Sequence, residues 1–306
     1  MRVAAIDCGT NSIRLLIADI HDGQFKEVDR RMEVVRLGQG VDKNKAFDPE
    51  AIERTLTATS AFARVIASKG VEKIRFCATS ATRDASNRQL FIDGVRDILG
   101  IELDVIPGAE EAALSFMGAT QELHASDGPF LVVDIGGGST EFVLGTDHVD
   151  AAKSVNIGCV RMSERHLSQQ PPSREAISAA THDIDAAIAS AGEDVAITSA
   201  KTLVCVAGTA TTVAAAALGL SEYDRYSIHL ARIPAQKVHD VAAMFQSMSR
   251  DEISALGYMH PGRVDVITAG SLVLSRVLHA TGAREFVASE SDILDGIAWG
   301  LASEPR

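Results

Sequence analysis

Two short stretches combine carboxylates with glycine and hydroxyl residues: "DCGTNSIR" at residues 7 to 14 and "DIGGGSTE" at 134 to 141. Glycine suits a turn whose φ is positive or whose backbone a ligand approaches closely. Successive N–H groups in such a turn make an anion-binding concavity. A carboxylate repels an anion. Either the acids are surface decoration, or something positive sits between them and a bound phosphate. An Asp-x-Gly-hydroxyl pattern alone is weak, because it also marks ordinary turns. Two copies are stronger. Setting Asp7 over Asp134 places Gly9 on Gly136, Thr10 on Gly137, Asn11 on Gly138, Ser12 on Ser139 and Arg14 on Glu141. The offset is 127 residues (134 minus 7), close to half of the 306-residue chain. We expect a duplicated unit, each copy a strand–turn–strand hairpin. A third turn, "VAGTATT" at 206 to 212, sets Gly208 and Thr209 where a strand meets a helix N-terminus. That is an anion seat or a plain N-cap by Thr209.

These turns need a scaffold, and the chain supplies one in alternating elements. "VAAIDCG", "SIRLLIADI" and "QFKEVDRRMEVVRL" read as strands joined by tight turns, hence antiparallel. Helical spacing runs from Pro49 to Ser68 and from Asn87 to Leu99. Between them "EKIRFCATSA" reads as a strand leaving into a polar loop, and "ELDVIP" and "GAEEAALSFMGAT" as a strand opening a helix. After the polar turn "SDGP" the order recurs as "FLVVDIG", "STEFVLGT" and "HVDAAKSVNIG". A helix over Arg174 to Ala191, the strand "TLVCVAG", a long apolar helix over 261 to 282, the strand "EFVASES" and a final helix "DILDGIAWGLA" complete the pattern. Alternating strands and helices predict an α/β fold with parallel pairing. The expected domains are 1–125, completed by the final helix 291–306, and 126–290.

Composition narrows the function. Net charge is −12, from 41 acidic and 29 basic residues. An acidic chain does not suit nucleic acid or an anionic membrane surface. No run reaches the roughly 18 apolar residues of a bilayer span, and Asp7 interrupts any signal-peptide core. The four cysteines are far apart, without a C-x-x-C pair, and read as reduced buried thiols. Nine histidines show no zinc spacing. A cytoplasmic location follows.

In this order the chain also carries "IDCGTNSIRLLI", "ATSATRDASN", "VIPGAEEAALSFMG", "DIGGGSTE", "NIGCVRMSER", "AGTATTVAA" and "GRVDVITAG". Together they resemble the exopolyphosphatase/guanosine pentaphosphate phosphatase family, from about Val3 to Leu301. The resemblance implies two duplicated ribonuclease-H-like α/β domains, of the actin, sugar kinase and heat-shock chaperone fold group, with a cleft between them. It implies hydrolysis of a terminal phosphoanhydride with Mg2+ or Mn2+. By the same resemblance Glu111 is catalytic, Asp134 and Glu141 bind metal with Asp7 nearby, and Arg83 belongs to the site. The phosphate-holding residues are Gly9, Thr10, Asn11, Ser12, Arg14, Gly136, Gly137, Gly138 and Ser139, with Gly208 and Thr209 from the third turn.

The chain departs from the family pattern in places. It stops before the extra helical domain of long members. Thr10 stands where a serine is common, and Leu294-Asp295-Gly296 stands where an Arg-Glu-Gly tripeptide is common, removing a basic contact from the final helix.

The chemistry is coherent on its own terms. Phosphoryl transfer to water needs a positioned phosphate, neutralised charge and an in-line nucleophile. Arg83 suits bidentate phosphate contacts, and Asp7, Asp134 and Glu141 offer hard oxygens to a divalent metal. Glu111 suits a general base, whereas Glu110 reads as an acid meeting the helix dipole. Arg14 is expected to pair with a phosphate or an acid. Lys201, Arg225, Arg232 and Arg263 are candidates for a longer channel. Inorganic polyphosphate is the leading substrate. Guanosine pentaphosphate is the alternative, and an ATP-dependent kinase or ATPase of the same fold group comes third. A homodimer is left open.

Overall fold

The structure is a computed structural model and describes residues 1–303. The chain divides into two units, one of Met1–Gly118 with the chain from Ile293 on, the other of Ala119–Asp292.

The first unit begins with β1 (Arg2–Cys8), β2 (Ser12–His21) and β3 (Gln24–Val34). It continues through α1 (Val41–Asn44), α2 (Pro49–Lys69), β4 (Lys73–Ala78), α3 (Ser80–Asp84), α4 (Gln89–Leu99), β5 (Leu103–Val105) and α5 (Gly108–Thr120). The five strands lie in the order β3-β2-β1-β4-β5. β1 is antiparallel to β2 and parallel to β4. Side chains alternate between the two faces of a strand, and both faces here are apolar. Ala4, Ile6 and Cys8 join Ile13, Leu15 and Ile17 in one core with Ile52, Phe62 and Phe91. Val3 and Ala5 join Leu16, Ala18 and Leu114 in the other. Burial on both faces explains why these strands read as continuous hydrophobic runs. The second core is completed from the far end of the chain, by Ile293, Leu294, Ile297 and Leu301.

The second unit repeats the plan with β6 (Phe130–Ile135), β7 (Thr140–Gly145) and β8 (Val149–Val155). α6 (Cys159–Arg165), α7 (Arg174–Asp194), β9 (Thr202–Val206), α8 (Ala207–Leu218), α9 (Arg225–Ile228) and β10 (Arg232–Pro234) follow. The unit ends with α10 (Ala235–Ser247), α11 (Arg250–Ser254), α12 (Ile267–Thr281) and β11 (Glu285–Ala288). The strand order is β10-β11-β9-β6-β7-β8, with β6 antiparallel to β7 and parallel to β9. The final helix of the chain, α13 (Ile293–Ser303), belongs to the first unit.

Two expectations need correction. The polar loop after β4 is a helical turn, α3, so Arg83 stands on a helix. The apolar helix expected from residue 261 begins at Ile267, because Pro261–Arg263 forms a 3-10 turn with the His260 side chain accepting from the Gly262 N–H at its start. Elsewhere the local signals suffice. Asp48 caps α2 ahead of Pro49 by accepting from the Glu50 amide. Ser249 and Glu252 form a reciprocal capping box on α11.

Candidate active site

Both glycine turns are built the same way. The Gly9 amide donates to the Ser12 carbonyl at 2.9 Å, and the Gly136 amide donates to the Ser139 carbonyl at 3.1 Å. Each turn is then pulled back by its carbonyls. In the first, the Thr10 carbonyl accepts from Gly38 at 2.8 Å and the Asn11 carbonyl from Val35 and Arg36 at 3.1 and 2.8 Å. In the second, the N-terminus of α6 does this. Cys159 donates to Gly136 at 2.9 Å, Val160 and Arg161 donate to Gly137 at 2.9 and 3.1 Å, and Gly158 donates to Gly138 at 3.3 Å. In a planar trans peptide the carbonyl and the next N–H point opposite ways. Tethered carbonyls therefore aim the amides of Asn11, Ser12, Gly137, Gly138 and Ser139 away from the backing segment.

The backing segments owe their fit to two glycines outside the turns. A Cβ on Gly38 would lie 2.3 Å from Cγ2 of Thr10, and one on Gly158 would lie 2.2 Å from the Gly137 carbonyl carbon. Neither Gly9 nor Gly136 has a left-handed φ; a Cβ on Gly136 would press on the Ser139 carbonyl oxygen at 3.2 Å, whereas one on Gly9 would make only ordinary contacts at 3.8 Å and beyond. Oγ1 of Thr10 is buried without a hydrogen-bond partner, an orphaned hydroxyl that suits an anion ligand.

The acids divide unequally. Asp7 sits directly across β1 and β2 from Arg14, whose Nε and Nη2 both donate to Asp7 Oδ2, at 3.0 and 2.6 Å. Asp134 sits directly across β6 and β7 from Glu141, and both are buried. Ser154, opposite on β8, donates from Oγ to Glu141 Oε1 at 2.7 Å. Of the two partners expected for Arg14, a phosphate or an acid, the register across β1 and β2 supplies the acid Asp7. Among the described residues no group of three His, Cys, Asp or Glu is arranged to hold an ion. Asp134 and Glu141 still fit Mg2+ or Mn2+, since Mg2+ is usually bound through one or two carboxylates, with phosphate oxygens and water completing the shell.

Glu111 stands in the first turn of α5, its amide donating to the Pro107 carbonyl at 3.0 Å. Its carboxylate is buried and accepts from Nη1 of Arg83 at 2.6 Å. Burial pushes its pKa up from the ordinary glutamate value, against the lowering effect of Arg83 and the Thr79 hydroxyl, while Asp7 adds to the rise. Glu110 points elsewhere, to Arg75 on β4, and is half-buried.

The third turn differs from its sequence reading. The N-cap of α8 is Val206, with no side-chain cap, and Ala207 adopts a left-handed φ of 67°. Thr209 is not the cap. Its hydroxyl is packed inward, so that a Cβ on Gly270 would meet Oγ1 at 2.6 Å. The guanidinium of Arg263 lies over Gly208, and its Nη1 donates to Thr212 Oγ1 at 2.9 Å. Of the other channel candidates, Lys201 donates to the Ser126 carbonyl and Arg232 pairs with Glu285 at the surface.

Sequence reasoning missed Arg161. It is buried on α6 and donates from Nε to the Gly138 carbonyl at 2.6 Å. Its block was noticed, but only the fold brings α6 against the turn. Ser154 left no signal at all, since only the β7–β8 register reveals it.

Two mixed-sheet α/β units, each with a hairpin turn of matched hydrogen bonding and an acid at its head, define a duplicated phosphate-handling fold. The chain belongs to the Ppx/GppA phosphatase family, whose model matches residues 16–303. It is 46% identical to exopolyphosphatase 2 of Mycobacterium tuberculosis, over 98% of both chains. It is 38% identical to a guanosine-5'-triphosphate,3'-diphosphate pyrophosphatase of Vibrio atlanticus, over 55% of this chain and 34% of that one. The crystal structure of an exopolyphosphatase-like protein superposes with a TM-score of 0.96 at 45% identity, covering 98% of this chain and 97% of that one. No helix among the described residues is long and apolar enough to cross a membrane.

Proposed function

We propose that the protein is an exopolyphosphatase, hydrolysing the terminal phosphoanhydride of inorganic polyphosphate to release orthophosphate. The observation that carries this is the buried Glu111 carboxylate, held by Arg83 at 2.6 Å and placed to act as a base. Full-length similarity to an exopolyphosphatase supports the substrate.

Glu111 takes a proton from the attacking water as its oxygen bonds to the terminal phosphorus. The bond from phosphorus to the bridging oxygen breaks, and the shortened chain leaves with that oxygen. Arg83 orients the Glu111 carboxylate. Within the first unit the outward amides of Asn11 and Ser12 are suited to phosphate oxygens, and within the second unit those of Gly137, Gly138 and Ser139 are. Asp134 and Glu141 would hold Mg2+ or Mn2+, which when bound offsets phosphate charge. The α8 N-terminus, with Gly208 and Arg263, is a further anion seat. We assign the protein to the cytoplasm, in keeping with its buried free thiols.

A second reading, guanosine pentaphosphate phosphatase, uses the same acids and draws on the partial similarity to the Vibrio protein. Phosphate release from polyphosphate and from guanosine pentaphosphate, measured side by side with Mg2+ and with Mn2+, tests the proposal. Higher kcat/KM on polyphosphate is expected. Preference for the nucleotide selects the second reading, and phosphorylation of an acceptor by ATP overturns both.

A further inference from the structure

Thr79 stands at the head of α3, in the N-cap position, and does not cap it. A threonine there ordinarily turns its oxygen back to a free amide of the first turn. No such bond forms, and the residue is buried at 4% exposure. Its hydroxyl goes instead to the Glu111 carboxylate on α5. A hydroxyl has one proton to donate, and an ionised carboxylate only accepts. Arg83, the other partner of Glu111, lies four residues further on. Residues at that spacing share one face of a helical turn. The Arg83 amide closes this turn by donating to the Thr79 carbonyl at 3.0 Å. Glu111 is therefore held at two points from a single turn. Thr79 also reaches the first glycine turn. Its amide donates to the Cys8 carbonyl at 3.2 Å, and a Cβ on Gly9 would lie 3.9 Å from its Oγ1.

We propose that Thr79 is a positioning residue for the reaction: its hydroxyl and Arg83 together fix the rotamer of Glu111, and its backbone registers that carboxylate against the first glycine turn. The proposal rests on the reading of Glu111 as the base. An ionised carboxylate offers about four lone-pair sites. Arg83 takes one and Thr79 another, which leaves the rest at a set angle for the proton of the attacking water. A general base works only within hydrogen-bond reach of that proton. A carboxylate free to turn about its Cγ–Cδ bond spends part of its time aimed elsewhere. Arg83 reaches Glu111 through Nη1, and one contact leaves that rotation open. The hydroxyl of Thr79 closes it. Thr79 acts through Glu111, so its effect falls on turnover and not on substrate binding.

Steady-state kinetics on polyphosphate with Mg2+ tests this in Thr79→Val, Thr79→Ser, Glu111→Gln and the double variant Thr79→Val with Glu111→Gln. Valine keeps the shape and removes the hydroxyl, whereas serine keeps the hydroxyl and removes the methyl. Thr79→Val is expected to lower kcat roughly 10-fold, the scale of one hydrogen bond to a charged group. Its KM should stay within about twofold of the native value, as for a group that acts on the chemical step. Thr79→Ser is expected to restore native kcat. In the Glu111→Gln background Thr79→Val should cost nothing further, because residues that act as a unit are not additive. Native kcat in Thr79→Val would overturn the proposal. So would a loss in Thr79→Ser as large as that in Thr79→Val, which makes packing of the methyl the cause. A fully additive loss in the double variant would also overturn it, since the effect would then lie outside Glu111. If Thr79→Val does not fold, Thr79→Ala takes its place in each comparison. Failure of the base reading looks different: Glu111→Gln alone then keeps native turnover, and the proposal falls with it.

Discussion

Arg83 gives one nitrogen to two acceptors, the Glu111 carboxylate at 2.6 Å and the Ile106 carbonyl at 3.0 Å. The carbonyl fixes where the guanidinium sits, so the carboxylate is fixed as well. Burial raises the Glu111 pKa while Arg83 restrains the rise. The base works only when ionised, so kcat should climb with pH through a midpoint above the ordinary Glu value of about 4.3. Arg83→Met removes the restraint and should move that midpoint to higher pH. A pH–rate profile checks both directions.

Glu111→Gln keeps the side-chain volume and removes the base. Turnover should fall by roughly 10²-fold or more, the scale of general-base loss, with KM little changed. Steady-state kinetics on polyphosphate checks it, and unaltered kcat would remove Glu111 from the mechanism.

Gly158→Ala tests the backing of the second turn. The added methyl would meet the Gly137 backbone at 2.2 Å, and backbone cannot swing aside as a side chain can. A loss of about 3 kcal/mol is expected from overpacking, with KM for substrate raised because the amides of the turn are re-aimed. Denaturant melts and kinetics on the same preparation measure both.

The final helix is held to the first unit by charge as well as by apolar packing. Asp295 on α13 accepts from Arg30 on β3 at 2.5 Å, with the carboxylate almost fully covered. Asp295→Ala should cost about 2 kcal/mol, between the values for exposed and buried pairs. Thermal unfolding checks it. The sequence had pointed only to a missing arginine in this tripeptide, whereas the fold turns its acid inward to a partner 265 residues away.

All four cysteines are buried and free. Burial pushes the Cys77 thiol up to about 12 and the other three upward as well. A thiol reagent at pH 8 should therefore titrate none in the native protein and four after denaturation. Fast reaction of any one in the native state would contradict this burial.

The sequence by itself determined the repeat, the order of strands and helices, and the residue types at each turn. Those are local facts: apolar runs with strand or helix period, and glycines next to acids. It also determined the family, because seven ordered blocks carry it. What only the tertiary structure decided are the partnerships. Register across β1 and β2 gave Arg14 to Asp7, and register across β7 and β8 brought Ser154 to Glu141. Packing of α6 against the second turn enlisted Arg161, and docking of α13 on the first sheet enlisted Asp295. A hydrogen bond depends on distance and direction in space, and residues far apart in the chain acquire both only when the core closes around them.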